Sequence, residues 1–196
     1  MLHPLFMPTY GMILYMAAML VRTPNLPSIY IYTSVITTFV LTALIPIILM
    51  LILWKRGSIS SLHIDNASER TTPYIYTLIC FAFWCYFVGD ILKMPVVWLV
   101  VAIGATAALL AVTIINRWWK ISAHLTAMGG LLGGAFSIAL YYSALPTLLI
   151  IGILIVSLLL MYARLYLNAH TPMQVVCGYI LGLLCTFTPN LIIFHA

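Results

Sequence analysis

Long apolar runs, separated by short polar stretches, make up most of the chain. A helix needs about 20 apolar residues to cross a membrane. Seven runs reach or approach that length, and they cover residues 5–21, 28–54, 73–92, 94–116, 122–143, 146–163 and 172–193. The first run is short and contains Pro8, and the long second run contains Pro46. We therefore predict an all-α bundle of six or seven transmembrane helices, with a kink or tilt in the second.

The composition excludes most other classes of protein. Hydrophobic residues make up 65% of the chain and charged residues 6%, against roughly 45–50% and 25% in soluble domains. Such a chain cannot cover a soluble surface, form a coiled coil or remain disordered. We expect residues 1–196 to form a single transmembrane domain. The four cysteines lie within apolar runs without a C-x-x-C pair, which favours small buried side chains over disulfides or metal ligands.

The net charge of +5 does not indicate a nucleic-acid partner, because the few basic residues are scattered and most lie at the ends of the apolar runs. Runs three and four return the chain to the face from which it started, and so do runs five and six. The starts of runs three, five and seven therefore lie on one membrane face, here called the site face. Its basic residues are Lys55, Arg56, Arg70, Arg117, Lys120 and Arg164.

The three helix starts on the site face have similar sequences. Run three begins with Thr72 and Pro73, run five near Ser122, and run seven with Thr171 and Pro172. Ser and Thr are preferred N-caps, and Pro is preferred at the first helical position. Because a helix N-terminus presents unpaired N–H groups and partial positive charge, three converging starts would suit an anion. The alternative is that each residue only caps its own helix.

Charged and titratable side chains lie beside these helix starts. Arg70 precedes the start of run three, His124 follows Ser122, Arg164 ends run six, and His170 precedes run seven. Arginine holds phosphate with a permanently charged fork, and histidine can act as a nucleophile or a proton donor near neutral pH. Four such residues at matched helix ends predict a phosphate-handling site rather than polar side chains at the membrane interface.

These residues form motifs that resemble those of the type 2 phosphatidic acid phosphatase and haloperoxidase superfamily. The third family motif is Ser-Arg, five residues, His, three residues, Asp, and residues 163–174 read ARLYLNAHTPMQ. The second is Pro-Ser-Gly-His, and residues 121–124 read ISAH. The first is Lys, six residues, Arg-Pro, and here His63 and Arg70 stand at that spacing. The resemblance spans about residues 63–182, within an expected phosphatase-like core of about residues 63–193.

The resemblance implies a lipid phosphatase that needs no metal or other cofactor. His170 would be the nucleophile that forms a phosphohistidine, and His124 the general acid. Arg70, Arg164 and the Ser122 hydroxyl would hold the phosphoryl oxygens. The expected partners are a lipid phosphate substrate and the surrounding membrane lipids. The family also implies an integral, multi-pass protein of a bacterial inner membrane with an extracytoplasmic site, although the bias of basic residues favours a cytoplasmic site face.

Three positions depart from the family motifs. His63 replaces a lysine, and Lys120 either substitutes for that lysine or anchors the chain at the lipid headgroups. Ala123 replaces a glycine. Gln174 replaces an aspartate that would stabilise the positive charge of the nucleophilic imidazole. Gln174 therefore either orients His170 without offsetting that charge, or closes a capping box with Thr171 and touches no substrate.

Two functions remain open from the sequence. The first is a phosphatase that hydrolyses a lipid phosphomonoester or a polyprenyl diphosphate. The second is a non-catalytic or weakly catalytic relative that binds or translocates a lipid phosphate. A transporter is disfavoured because the charges lie at the membrane faces rather than at the midplane. Small residues at four-residue spacing also predict close packing of runs five and seven, and they are Gly129, Gly130, Gly133, Gly134, Gly178 and Gly182.

Overall fold

The described residues of the protein form a bundle of seven long helices. The computed structural model describes residues 3–60, 67–142 and 147–195, without the side chains of residues 67, 68 and 195. The helices are α1 (Pro4–Arg22), α2 (Ser28–Lys55), α3 (Thr71–Ile91), α4 (Val96–Ile115), α5 (Ala123–Tyr142), α6 (Thr147–Tyr166) and α7 (Pro172–His195). All seven are long and apolar enough to cross a membrane. The predicted all-α membrane bundle is confirmed, and the short first run forms a full-length helix.

Helix α2 continues through its proline by way of a π-helical turn. The turn covers Val40–Leu44, and the N–H of Ile45 donates to the carbonyl of Val40, five residues earlier. Pro46 follows directly and lacks an N–H of its own. A wider turn at this point rearranges the hydrogen-bond ladder where proline would interrupt it. The irregularity predicted from Pro46 is therefore a π turn inside a continuous helix.

Helices α5 and α7 lie against each other along their glycines. A Cβ atom added to Gly133 would lie 2.6 Å from the carbonyl oxygen of Leu183, and one added to Gly178 would lie 2.8 Å from that of Ser122. The hydroxyl of Thr186 also donates across the interface to the carbonyl of Gly130, at 3.0 Å. The predicted close approach of runs five and seven is confirmed. It brings the start of α5, with His124, beside the start of α7.

The remaining helices complete the bundle around an aromatic core. Tyr15 of α1, Trp84 of α3 and Trp98 of α4 are each at most 1% exposed and pack together near the face opposite the site face. Many large apolar side chains instead cover the outside of the bundle, as a lipid-facing surface requires. The four cysteines are unpaired and partly buried.

Candidate active site

Two arginines and two histidines meet at one cavity on the site face. The cavity has a volume of about 190 Å³, and Arg70, His124, Arg164 and His170 all line it. Arg70 directly precedes α3, His124 lies in the first turn of α5, Arg164 in the last turn of α6, and His170 just before α7. Four residues from Arg70 to His170, which are 100 positions apart in sequence, therefore line one cavity at helix ends that share one membrane face.

Helix α7 begins with a complete capping box. The N–H of Gln174 donates to the hydroxyl of Thr171 at 3.4 Å, and the N–H of Thr171 donates to Oε1 of Gln174 at 3.0 Å. Oε1 of Gln174 also lies 3.3 Å from Nδ1 of His170. The two interpretations of Gln174 are therefore not exclusive, since one oxygen both closes the helix start and contacts the imidazole.

The other two helix starts differ from the predicted caps. Helix α3 begins at Thr71, directly after a 3₁₀ turn over Ala67–Arg70, so Thr72 lies inside the first helical turn and its prediction as N-cap is wrong. A 3₁₀ turn that runs into a helix can supply acceptors for the first N–H groups, which leaves no need for a side-chain cap. Ser122 does precede α5, but its buried hydroxyl has no hydrogen-bond partner among the described residues and is not among the groups that line the cavity.

The hydrogen bonds of His170 fix its tautomer. Nδ1 lies 3.2 Å from the main-chain carbonyl oxygen of Lys120 and 3.3 Å from the side chain of Gln174. The Gln174 atom accepts from the N–H of Thr171, so it is the oxygen. Because both neighbours are acceptors, Nδ1 carries the proton and Nε2 keeps its lone pair. This is the tautomer that a nucleophilic Nε2 requires.

Burial lowers the pKa of His170 from its usual value, and the positive charges of Arg164 and Arg70 lower that pKa further. The hydrogen bonds to Gln174 and to the Lys120 carbonyl act in the opposite direction. Burial is the largest of these effects because the protonated ring would lose its hydration. The imidazole is therefore neutral near neutral pH, with its nucleophilic lone pair available.

His124 is held by an arginine. Nη2 of Arg164 lies 2.8 Å from Nδ1 of His124. A guanidinium group has donors but no acceptor, so Nδ1 of His124 is unprotonated and the ring proton is on Nε2. Arg164 thus links α6 to the start of α5. The two histidines carry opposite tautomers, one with its N–H at Nε2 and the other at Nδ1.

His3 and Tyr74 also line the cavity, and the motifs did not identify them. The ring of His3 meets that of His124 edge-on, with centroids 5.7 Å apart, and Nδ1 of His3 accepts from the N–H of Leu5. Tyr74, one turn into α3, hydrogen-bonds to Arg70. The position of His3 directly before the first apolar run was the available signal. It places this histidine on the site face once the first run is a full transmembrane helix.

Two candidates remain, Lys120 and His63. Lys120 contributes its main-chain carbonyl to His170, whereas its side chain is not among the groups that line the cavity. His63, in the first motif, lies outside the described residues. The positive charges at the cavity are therefore those of Arg70 and Arg164, as far as the described part of the chain is concerned.

Comparison with known proteins agrees with this arrangement. Residues 100–194 match the model of the PAP2 superfamily. The match contains His124, Arg164, His170 and Gln174. It begins after Arg70, which lies with them in the cavity lining but outside the matched sequence. No curated protein and no solved structure is significantly similar to the chain. The match over residues 100–194, which includes the second and third motifs, is consistent with a PAP2-type family member.

Proposed function

We propose that the protein is a lipid phosphatase that works through a phosphohistidine at His170. Its PAP2-type sequence suggests phosphatase-type hydrolysis of lipid phosphates in general. The observation that carries the specific proposal is the unprotonated Nε2 of His170, in a cavity that two arginines also line. From the family resemblance we also place the site on the extracytoplasmic face of a bacterial inner membrane.

In the first step, Nε2 of His170 attacks phosphorus and the bond from phosphorus to the leaving oxygen breaks. Arg70 and Arg164 donate to the phosphoryl oxygens and stabilise the charge of the transition state. Arg164 gives up its bond to His124 as it turns to the phosphate. The freed Nδ1 of His124 then takes up a proton from solvent, and the resulting imidazolium passes one proton to the leaving oxygen and becomes neutral. The products are a lipid alcohol, or a lipid monophosphate from a diphosphate, and phosphohistidine.

In the second step, water attacks the phosphorus and the bond from phosphorus to Nε2 breaks. The neutral His124 left by the first step accepts a proton from the attacking water. The electron pair of the broken bond returns to Nε2 of His170, whose Nδ1 keeps its proton. Inorganic phosphate is released, and His124 returns its extra proton to solvent, so both rings are neutral again.

The neighbours of His170 predict a slow chemical step. The phosphohistidine carries a positive charge, but its Nδ1–H faces two neutral oxygens, from Lys120 and Gln174. A carboxylate would offset that charge, whereas an amide offers only a dipole. The capping box of Gln174 therefore also favours a second candidate function, in which the protein binds or moves a lipid phosphate with little turnover.

A phosphate-release assay on the purified protein separates the two functions. The substrates are an alkyl phosphate, a diacyl phosphatidate and a polyprenyl diphosphate. We expect the wild type to release phosphate and to form an acid-labile phosphoprotein. We expect His170→Ala to do neither. Arg117→Ala is the matched control, because Arg117 is an exposed site-face arginine that does not line the cavity. Binding without release from any substrate would replace the phosphatase with the second candidate.

A further inference from the structure

The cavity continues from the phosphate site deep into the bundle. Its lining begins at Arg70 and His124 and reaches Trp84, Trp98 and Ile138. From His124 to Ile138, helix α5 rises by about 20 Å at its standard 1.5 Å per residue. One leaflet of a bilayer contributes about 15 Å of hydrocarbon. The cavity is thus deep enough for a chain that spans a whole leaflet.

Small residues keep this space open. Gly11 of α1, Ala105 and Ala108 of α4, and Gly134 of α5 all line the cavity below its charged end. A Cβ atom added to Gly134 would lie 3.1 Å from the side chain of Val101, the neighbouring residue of the lining on α4. Larger side chains at these positions would close the passage. Because most of this part of the lining is apolar, the space suits hydrocarbon rather than a polar ligand.

The cavity is narrow and ends inside the protein. A volume of about 190 Å³, spread over a depth of about 20 Å, is too narrow for two hydrocarbon chains side by side, since one benzene molecule already fills an apolar cavity of about 150 Å³. At the inner end, the rings of Trp84 and Trp98 have centroids 6.4 Å apart, and Tyr15 stacks on Trp98 at 5.1 Å. This buried aromatic cluster forms a floor that limits the length of chain the cavity can hold.

We propose that the substrate is a single-chain lipid phosphate whose hydrocarbon chain enters the bundle interior. The floor formed by Trp84 and Trp98 limits the length of chain that fits. The proposal rests on the proposed function, because it takes the charged end of the cavity as the phosphate site. Helix α1 contributes to the wall and lies outside the family match at residues 100–194. The bilayer is as apolar as the cavity, so moving the hydrocarbon chain from lipid into the cavity gains no hydrophobic free energy. Substrates are therefore selected by how well the chain fits the cavity.

The test uses alkyl phosphates from octyl to octadecyl, with farnesyl phosphate as a prenyl arm and a diacyl phosphatidate as the two-chain arm. Non-hydrolysable alkylphosphonates of the same lengths measure binding through the thermal midpoint in detergent. Ala108→Phe and Ala105→Phe fill the cavity at depths of about 10 and 15 Å below the end of α4. Ala107→Phe is the control, because Ala107 is exposed on the outside of the same helix.

We expect the wild type to prefer single-chain phosphates and to accept long chains up to a sharp limit. That limit should shorten in Ala105→Phe and shorten further in Ala108→Phe, while Ala107→Phe keeps the wild-type profile. Chains beyond the limit should lose about tenfold or more in kcat/KM, as expected when a chain exceeds a closed pocket by a methylene. Preference for farnesyl phosphate over alkyl phosphates would identify a prenyl chain as the occupant.

The inference and the proposed function fail in different ways. If phosphonates bind with the predicted length limit but no phosphate is released, the chain cavity stands and the phosphatase does not. If phosphate is released with the same length profile in all three phenylalanine variants, the phosphatase stands and the cavity proposal is wrong. Binding of inorganic vanadate should be unchanged in Ala105→Phe. A loss of vanadate binding there, with chain-length dependence unchanged, would also overturn the proposal.

Discussion

Oε1 of Gln174 lies 3.3 Å from Nδ1 of His170, one helical turn away, and the same oxygen caps the start of α7 through Thr171. In the related family motif this position carries a carboxylate. Gln174 keeps the hydrogen bond that orients the imidazole of His170. It lacks the negative charge that would stabilise the positive charge of that ring. Orientation and charge compensation are thus separated at one residue, which makes them testable one at a time.

We predict that Gln174→Glu increases turnover. Glutamate has the same length as glutamine and can still accept from the N–H of Thr171, so the capping box is retained. Hydrogen bonds to charged groups exceed neutral ones by about 1.4 kcal/mol, which corresponds to roughly tenfold in rate. The gain should appear in kcat rather than in KM, because the positive ring forms mainly in the transition state. Steady-state phosphate release measures both constants.

Two variants control for this effect. Gln174→Asp carries the charge but is one methylene shorter, so we expect a smaller increase in kcat. Gln174→Ala removes both the charge partner and the cap, and should lower kcat as well as the free energy of unfolding by about 1 kcal/mol. If both acidic variants are as slow as the wild type or slower, charge compensation at Nδ1 does not limit the reaction.

The pH profile should reflect the lowered pKa of His170. The nucleophile must be neutral, and the pKa of His170 lies below the usual histidine value of 6.5. Therefore kcat/KM should stay constant as the pH is lowered to 6.5 and should decrease only in more acidic solution. Gln174→Glu places a negative charge beside the ring and should move this acidic limb to higher pH. Between pH 6.5 and the folded pKa, the unfolded chain binds the proton first, so stability should decrease with acidification. An acidic limb above pH 6.5 in the wild type contradicts the assignment.

Anions should stabilise the protein even if turnover is slow. Phosphate or vanadate at about 100 times its dissociation constant adds about 2.7 kcal/mol to the free energy of unfolding. The thermal midpoint in detergent should therefore rise with millimolar anion. Arg164→Ala should lose most of this rise, and Arg117→Ala should keep it, since Arg164 lines the cavity and Arg117 does not. An unchanged midpoint in the wild type would count against the phosphate site as a whole.

The contact between α5 and α7 should tolerate no added methyl group. A Cβ atom on Gly182 would lie 2.7 Å from the main-chain nitrogen of Gly130, so Gly182→Ala should destabilise the fold by about 1–3 kcal/mol or more. At Gly152, on α6, the space around such an atom is empty to 4 Å. Gly152→Ala should be neutral or stabilising by up to about 1 kcal/mol, because alanine favours helix. Thermal midpoints in detergent compare the two variants, and equal midpoints would refute the close contact.

The sequence by itself determined the helices and the face on which the chemistry lies. The predicted runs agree with the helix ends to within a few residues, because crossing a membrane sets both the length and the apolarity of each segment. Parity then placed Arg70, His124, Arg164 and His170 on one side. The glycine spacing predicted the contact between α5 and α7. These signals come from short stretches of sequence or from the number of membrane crossings. They do not depend on which helices pack side by side.

Only the tertiary structure decided how the helices sit beside one another. It brought His3 against His124, engaged Gln174 in two roles, and placed the side chain of Lys120 outside the cavity lining. It also opened a narrow apolar passage between α1, α3, α4 and α5. In a membrane every helix is apolar on most sides, so hydropathy carries little information about which faces meet. Neighbours are selected by shape and by a few hydrogen bonds, which appear only when the helices are packed together.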